Sequence, residues 1–384
     1  MSSEAAGKGP ILVVDANDGP CVRSLFGALA ARGWKVLFLR PYGLYYYRRV
    51  LKGTWSDLVG WRSIDANILE AHRAVPGLRT MPGLSLALIR RTLAGAMASF
   101  GCPSAVVYTL PFYAPLADRI RGEATLYFAY DAYRFYGGWN EQRIAALEDD
   151  MAARVDAVCT VSRQLEDDFT GRARRVQYLP NAAPDAWAER PTRGGVEPEP
   201  IRGLGRPIVG CVGAAQARYD WELIRKAAED LPACSFVFLG HPPEPSGEAR
   251  AVMGRRNIRF SGHVPHDTAL ECMRWFDVCW NPMALDDFNH RRCPLRLYDY
   301  LCTDRPVLST GIREALELRP HVTVGTTAAD CLEALKSMLD GRYTPDLEAR
   351  RAAMKGHTWS VRAAQLEQVL ADVKRGVKAG VAER

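Results

Sequence analysis

The sequence predicts an α/β protein of two consecutive units, each a parallel sheet flanked by helices. Three observations carry this expectation. Short β-branched apolar runs alternate with amphipathic stretches along most of the chain, which is the pattern of βαβ units rather than of a sandwich or a bundle. The alternation is interrupted between residues 190 and 206 by a segment too rich in Pro and Gly for the interior of a helix or strand, and it restarts afterwards. Finally, 384 residues that are 48% hydrophobic and 24% charged hold enough apolar material for two cores. The expected organisation is a first unit over 1–189, a linker over 190–206 and a second unit from 207.

The first unit opens with the strand Ile11-Leu12-Val13-Val14, a loop from Asp15 to Pro20, a helix from Val22 to Arg32 stopped by Gly33, and a strand from Lys35 to Leu39. Parallel sheets carry ligand groups on the loops after strand C-termini, so Asp15 to Gly19, with Asp18 among them, should face a cleft. That loop has no GxGxxG, which counts against a dinucleotide cofactor there. Further strands are expected at Ser104–Tyr108, Ala124–Phe128, Ala157–Val161 and Val176–Leu179. In the second unit, strands are expected at Pro207–Gly213, Ser235–Leu239, Ile258–Phe260, Val278–Trp280 and Val307–Ser309, with helices at Trp221–Leu231, Ala269–Trp275 and, near the end, about Val361–Val373.

The most informative segment is Cys293-Pro294-Leu295-Arg296-Leu297-Tyr298-Asp299-Tyr300-Leu301. Pro294 suits the first helical position, where unpartnered backbone N–H groups and the helix dipole attract an anion. Arg296 and Asp299, three residues apart, lie on one side of a helix, so one can meet a diphosphate while the other accepts bonds from ribose hydroxyls. The same spacing also suits a surface Arg/Asp pair on a capped amphipathic helix.

Composition narrows the rest. Net charge is +6, and the basic bias sits early, with 13 Lys/Arg against 6 Asp/Glu in the first hundred residues. Tyr42-Gly43-Leu44-Tyr45-Tyr46-Tyr47-Arg48-Arg49-Val50-Leu51-Lys52 mixes aromatics with cations, a composition suited to anionic lipid head groups or an anionic acceptor, or to a packed edge with one solvated face. No zinc-finger spacing, RNA-binding signature or long Lys/Arg run points to nucleic acid. The ten cysteines contain no CxxC pair, so buried reduced thiols are expected rather than a metal cluster or disulfide framework. With a polar start and no run of eighteen apolar residues, a cytoplasmic protein, soluble or peripheral, is expected.

Several segments then resemble a known family. Pro207–Ala214, Tyr219–Ile224, Ser235–Gly240, Gly262-His263-Val264-Pro265 and Asp277–Pro282 follow one another as in the donor-binding half of GT-B glycosyltransferases, in particular the family-4-like bacterial enzymes of surface-polysaccharide synthesis. Pro294–Leu301 resembles that family's Pro-Leu-Lys-Leu-Tyr-Glu-Tyr-Leu run, with Arg296 for the lysine and Asp299 for the glutamate. Leu126–Asp131, Val158–Ser162 and Leu179-Pro180-Asn181 are similar to the acceptor half of teichuronic-acid and xanthan-pathway glucuronosyltransferases. The resemblance implies two Rossmann-like domains facing a central cleft, the first binding acceptor, the second (207–356) binding donor, and a terminal helix in 357–384 that crosses back. The sequence departs from the pattern at Arg291, where many relatives carry a glutamate, and in the first loop, which lacks their glycines.

What the resemblance implies for chemistry is a transferase taking a sugar from a nucleoside diphosphate, UDP favoured, to a glycan or lipid-linked acceptor, without metal or other cofactor. The absence of glutamate at 291 favours inversion, which needs one base for the acceptor hydroxyl and positive charge at the leaving group. Asp131 is the expected base, with Asp15 and Asp18 in reserve; a strand-end Asp also suits a turn cap. Arg296 would face the diphosphate and Asp299 the ribose, with Pro294, Leu295, Gly213, His263, His290 and Arg291 around the donor. Tyr133, Tyr136 and Trp139 would either stack on an acceptor sugar or close a small apolar core. Two other readings stay open: a nucleotide-sugar epimerase or hydrolase, and a non-catalytic nucleotide-sugar binding protein.

Overall fold

The computed structural model describes residues 9–45, 60–186, 195–213, 218–242 and 247–382. The chain divides into two compact units, one made of Met1–Pro180 with Trp359–Arg384, the other of Asn181–Thr358. The stretch 190–206, expected as a linker, falls in the second unit, where Ile201 is fully buried.

The sheet of the first unit is built from β1 (Ile11–Val14), β2 (Val36–Gly43), β3 (Arg62–Asp65), β4 (Ile68–Val75), β5 (Ala105–Tyr108), β6 (Ala124–Ala129), β7 (Ala157–Thr160) and β8 (Val176–Tyr178). Their order is β3-β4-β2-β1-β5-β6-β7-β8, parallel throughout except that β3 runs antiparallel to β4. β1, β5, β6 and β7 are buried at every residue, as strands covered on both faces must be, which explains their continuous apolar runs. The chain leaves β1 towards β2 and β4 on one side and returns to β5 on the other. The strand order therefore switches between β1 and β5, and the loops after those strands diverge.

The second unit repeats the plan with β9 (Ile208–Val212), β10 (Ser235–Leu239), β11 (Ile258–Phe260), β12 (Val278–Asn281), β13 (Val307–Thr310) and β14 (Thr323–Gly325). Their order is β11-β10-β9-β12-β13-β14, with every pairing parallel, and the switch lies between β9 and β12. Side-chain caps start the helices where the sequence offers them. Asp220 accepts from Leu223 N at 2.8 Å to open the helix Trp221–Asp230, and Thr327 with Asp330 forms a capping box on Ala328–Leu339.

The expected strands recur within a few residues of their ends. Four helices differ from expectation, the last of the chain running Trp359–Ala382 where about Val361–Val373 was expected. The first begins at Pro20 rather than Val22, using the proline that its missing N–H makes harmless there. The helix expected at Ala269–Trp275 runs His266–Met273. The helix after Cys293 spans Leu295–Leu301, so Pro294 is its N-cap residue and not its first helical one. The last helix, Trp359–Ala382, belongs to the first unit, where Glu367 accepts from Arg32 Nη2 and Trp34 Nε1, both at 2.6 Å, and Arg362 donates to Pro180 O at 3.1 Å.

Gly210, in the middle of β9, illustrates how the sheet accepts its neighbours. A Cβ there would lie 2.1 Å from the Phe276 ring, so this strand needs a residue without a side chain. Gly210→Ala is expected to lower unfolding free energy in urea by about 1–3 kcal/mol through overpacking. Gly27→Ala, on the helix Pro20–Ala31 with open space around it, is expected to be neutral or slightly stabilising in the same measurement.

Candidate functional site

At the switch of the second unit, β9 ends in Val212 and the chain turns at Gly213, whose φ of +108° suits glycine. The guanidinium of Arg296 lies against this turn: a Cβ on Gly213 would be 2.8 Å from its Nη2. Arg296 Nη1 donates to the Tyr219 hydroxyl at 2.5 Å and lies 3.4 Å from Cys211 Sγ, and the guanidinium carbon stands 5.4 Å from the Tyr219 ring centre. Tyr300, from the same helix as Arg296, accepts from Val212 N at 2.8 Å and donates to Trp280 O at 3.3 Å, tying that helix to both switch strands. Among the described residues no carboxylate pairs with Arg296. A half-buried cation held only by neutral groups keeps its charge available to an anion, since buried charges normally have counter-charges.

Asp299, one turn on, stands 3.6 Å from His266 Nε2. His263 is exposed in the loop after β11, its ring 6.1 Å from that of His241 in the loop after β10. Leu295 and Pro294 are half-buried at the start of the helix. Asp286 caps the short helix Asp287–His290 by accepting from Asn289 N at 2.7 Å. His290 is half-buried at its end, and Arg291 pairs with Asp287 at 2.8 Å.

In the first unit the strand-end loops carry charge of another kind. Asp15, just past β1, is fully buried; its carboxylate meets Arg40 Nη1 at 2.5 Å and accepts from Thr109 Oγ1 at 2.8 Å. Arg40, also fully buried, reaches Asp18 at 2.9 Å and Glu70 at 3.2 Å. Arg23 pairs with Asp18 in a fork, and His72 Nε2 lies 2.7 Å from Glu70 Oε1. Asp18 takes a left-handed φ of +52°, a region Asp tolerates better than most residues. Asp15, named as a reserve base, is thus held in a fully buried ion pair with Arg40.

Asp131 follows β6 and is half-buried. Its Oδ1 accepts from Ala132 N at 2.9 Å and its Oδ2 from the Tyr136 hydroxyl at 2.5 Å, which orients the carboxylate. Burial, then the nearby charges of Asp131 and Asp15, push the Cys21 thiol up to about 12, which places both carboxylates beside the start of the helix Pro20–Ala31. Tyr133 is fully buried and stacks on Trp139 at 6.1 Å between ring centres, with Phe112 against the same indole at 5.2 Å. Tyr133 therefore closes a small aromatic core and offers no face to a sugar, whereas Tyr136 and Trp139 are half-buried at its rim. Tyr42 too is buried, Leu44 and Tyr45 are exposed, and residues 46–52 of the basic aromatic stretch lie outside the described residues.

Residues 218–368 match the family described as glycosyl transferase-like. Over 170 residues, 42% of each chain, the sequence is 22% identical to TuaH of Bacillus subtilis (strain 168), a protein assigned by name to teichuronic acid biosynthesis as a glycosyltransferase; the match thus spans less than half that relative's length. Among solved structures, the UDP-forming α,α-trehalose-phosphate synthase of Burkholderia vietnamiensis aligns over 94% of this chain and 97% of its own, with a TM-score of 0.64 and 14% identity. The catalytic domain of starch synthase IV of Arabidopsis thaliana aligns over 96% and 100%, with a TM-score of 0.65 and 11% identity. The chain has the GT-B glycosyltransferase fold.

Within this GT-B chain, sequence reading found Arg296, Gly213 and Asp299 but missed what surrounds them. Tyr219 and Cys211 entered only within segments that resemble the family's donor-binding half, and Arg40 and Glu70 were not singled out. A signal existed for Arg40: an arginine interrupts the apolar run Val36-Leu37-Phe38-Leu39 in a strand whose neighbours are all buried. Among the described residues no group of His, Cys, Asp and Glu could hold a metal ion, all ten cysteines are free with eight buried, and no helix is long and apolar enough to cross a membrane.

The Arg40 network gives a pH prediction. Burial alone would raise the Glu70 carboxyl, but the hydrogen bond with His72 and the charge of Arg40 outweigh it and hold it at about 2, below its ordinary 4.5. A carboxylate depressed by folding stabilises above its unfolded value and loses that contribution as pH falls through the folded one. The melting temperature is expected to drop between about pH 4.5 and pH 2, and by less in Glu70→Gln, when followed by circular dichroism.

Proposed function

We propose that this protein is a glycosyltransferase that moves a sugar from a nucleoside diphosphate sugar, with UDP favoured, to a hydroxyl of a glycan or lipid-linked acceptor in surface polysaccharide or glycoconjugate synthesis. The observation that carries the reading is Arg296: a guanidinium with no carboxylate partner among the described residues, laid against a glycine turn at the switch of the second sheet. Ligands of open parallel sheets bind there, and a cation without counter-charge selects an anion. The likeness to a teichuronic acid biosynthesis glycosyltransferase supports the polysaccharide setting, and the likeness in fold to a UDP-forming trehalose-phosphate synthase supports the base.

In this reading the acceptor oxygen forms a bond to the anomeric carbon while the bond from that carbon to the phosphate oxygen breaks. The electron pair leaves with the nucleoside diphosphate, and Arg296 stabilises the charge that develops there, so that the proposal assigns this role to a side chain and not to a metal. The acceptor proton passes to Asp131, whose orientation by Tyr136 and Ala132 N suits a positioned base. Asp299 accepts from the ribose hydroxyls. His263, His290 and Leu295 line the donor side, and Asp18, Tyr136 and Trp139 the acceptor side. Arg291 stands where relatives of the retaining kind carry glutamate and is paired with Asp287, which supports a single, inverting displacement. We place the enzyme in the cytoplasm, in contact with the inner face of the membrane through the basic aromatic stretch near 42–52, the buried Tyr42 excepted.

The test begins with UDP-, GDP- and ADP-sugars and their diphosphates in thermal stabilisation assays; a ligand at about a hundred times its Kd adds about 2.7 kcal/mol. At least one nucleotide is expected to raise the melting temperature, and Arg296→Ala to abolish that rise. With the donor found, Asp131→Asn is expected to lower kcat by about 10² to 10⁴ with nucleotide affinity kept. No stabilisation by any nucleotide would sink the donor site, and an unchanged rate in Asp131→Asn would sink the base. Release of free isomerised or hydrolysed sugar without an acceptor product would replace transfer with epimerase or hydrolase chemistry.

A further inference from the structure

Arg296 could have been fixed by a carboxylate, as Arg40 is in the first unit, but a carboxylate would cancel the charge that the site is proposed to offer. It is fixed by a phenol instead. Tyr219 is 3% exposed, and its hydroxyl accepts from Arg296 Nη1 at 2.5 Å while Cys211 Sγ lies 3.4 Å away. The ring is held in turn by Trp221 and Phe238, at 5.5 and 6.0 Å between centres. Its backbone is held as well: Tyr219 bridges to Met283, and Asp220 N donates to Pro282 O at 2.9 Å, both partners lying just past β12. The phenol is thus a rigid post between the ends of β9 and β12. Burial raises the Tyr219 phenol above its ordinary value, so the post stays neutral.

We infer that Tyr219 is a positioning residue that sets the Arg296 guanidinium against the Gly213 turn for a diphosphate, holding it through a neutral acceptor so that its charge is left for the ligand. The inference rests on the donor-site reading given above. One guanidinium nitrogen is committed to the phenol, and the other edge of the fork is directed at the turn, a geometry that a lysine cannot reproduce because its ammonium is a point charge on a flexible stem. Tyr219 would therefore govern recognition of the second phosphate and leave the nucleoside and first phosphate unaffected.

The test compares Tyr219→Phe, which keeps the ring and removes the hydroxyl, with the wild type in titrations of UDP, GDP and ADP and of the matching monophosphates. For the base that binds, Tyr219→Phe is expected to weaken the diphosphate about tenfold, the size of one charge-assisted hydrogen bond, with the monophosphate changed by less than about twofold. Arg296→Lys should lose a similar factor. In an Arg296→Ala background Tyr219→Phe should have no further effect, because its only route to the ligand is gone. An equal loss for mono- and diphosphate, no loss at all, or an additive loss in the Arg296→Ala background would each overturn the inference while the donor site stands. If no diphosphate binds the wild type better than its monophosphate, the donor-site reading fails first and takes this inference with it.

Discussion

Parallel pairing of β9 with β10 on one side and β12 on the other is the constraint on which the second unit depends. Strands that run the same way send all their following loops to one edge, and where the strand order reverses those loops part. Gly213 and Tyr219 meet Met283 and Arg296 there although the two pairs are far apart in sequence. The helix Leu295–Leu301 has only seven residues, so its dipole is a modest asset; the site is made by the side chain of its second residue and by the turn opposite. Tyr300 secures that helix by satisfying the last N–H of β9, a bond that also keeps the strand end from needing water.

The two units treat a buried arginine in opposite ways. Arg40 is fully enclosed and surrounded by Asp15, Asp18 and Glu70, so its charge is matched internally and the cluster serves to fix the loop after β1 to the strands β2 and β4. Removing either partner of such a pair costs far more than the pair contributes, because the survivor is left buried and uncompensated. Arg296 is less enclosed and has a phenol, a thiol and a glycine around it. Arg350 shows a third solution: it donates to the carbonyls of Thr303, Arg305 and His321 and so closes the outer strands of the second sheet without any carboxylate. Of these three arginines, Arg296 is the one that combines partial exposure, a position at the switch and neutral partners.

Much of this was legible in the sequence, for identifiable reasons. The fully buried strands announce themselves as β-branched runs, since nothing polar can stand on either face, and the helix after Cys293 carries its Pro-Leu-Arg start in the open. The segment from 60 to 100 was not legible. β3 is exposed at every residue and has no alternation to read, and the helix Pro82–Phe100 buries only Ser85, Ile89, Leu93 and Ala96, with small apolar residues on its exposed side that blur the period. Nor could local pattern distinguish the two fates of the aromatic loop. Tyr133 is fully buried and Trp139 half-buried although they stack on each other, and Phe112, which packs on Trp139, comes from a segment far earlier in the chain. The carboxylate partners of Arg40 come from the loop after β1 and from β4, and a sequence displays none of those distances.

The contrast between a carboxylate and a phenol as the partner of arginine follows from how much of the charge each returns. A carboxylate satisfies the guanidinium twice over, by bidentate bonds and by charge, and the desolvated pair has little left to attract a third group. A phenol satisfies geometry alone. It therefore suits a cation that must be pre-aimed in the empty protein yet remain a cation for its ligand, and preorganisation of this kind lowers the ordering cost that binding would otherwise incur. The cost is moved into the fold, where Trp221, Phe238 and the bridge to Met283 hold the phenol whether or not a ligand is present. Glycine at 213 completes the arrangement, because any side chain on that turn would occupy the space that the free edge of the guanidinium faces.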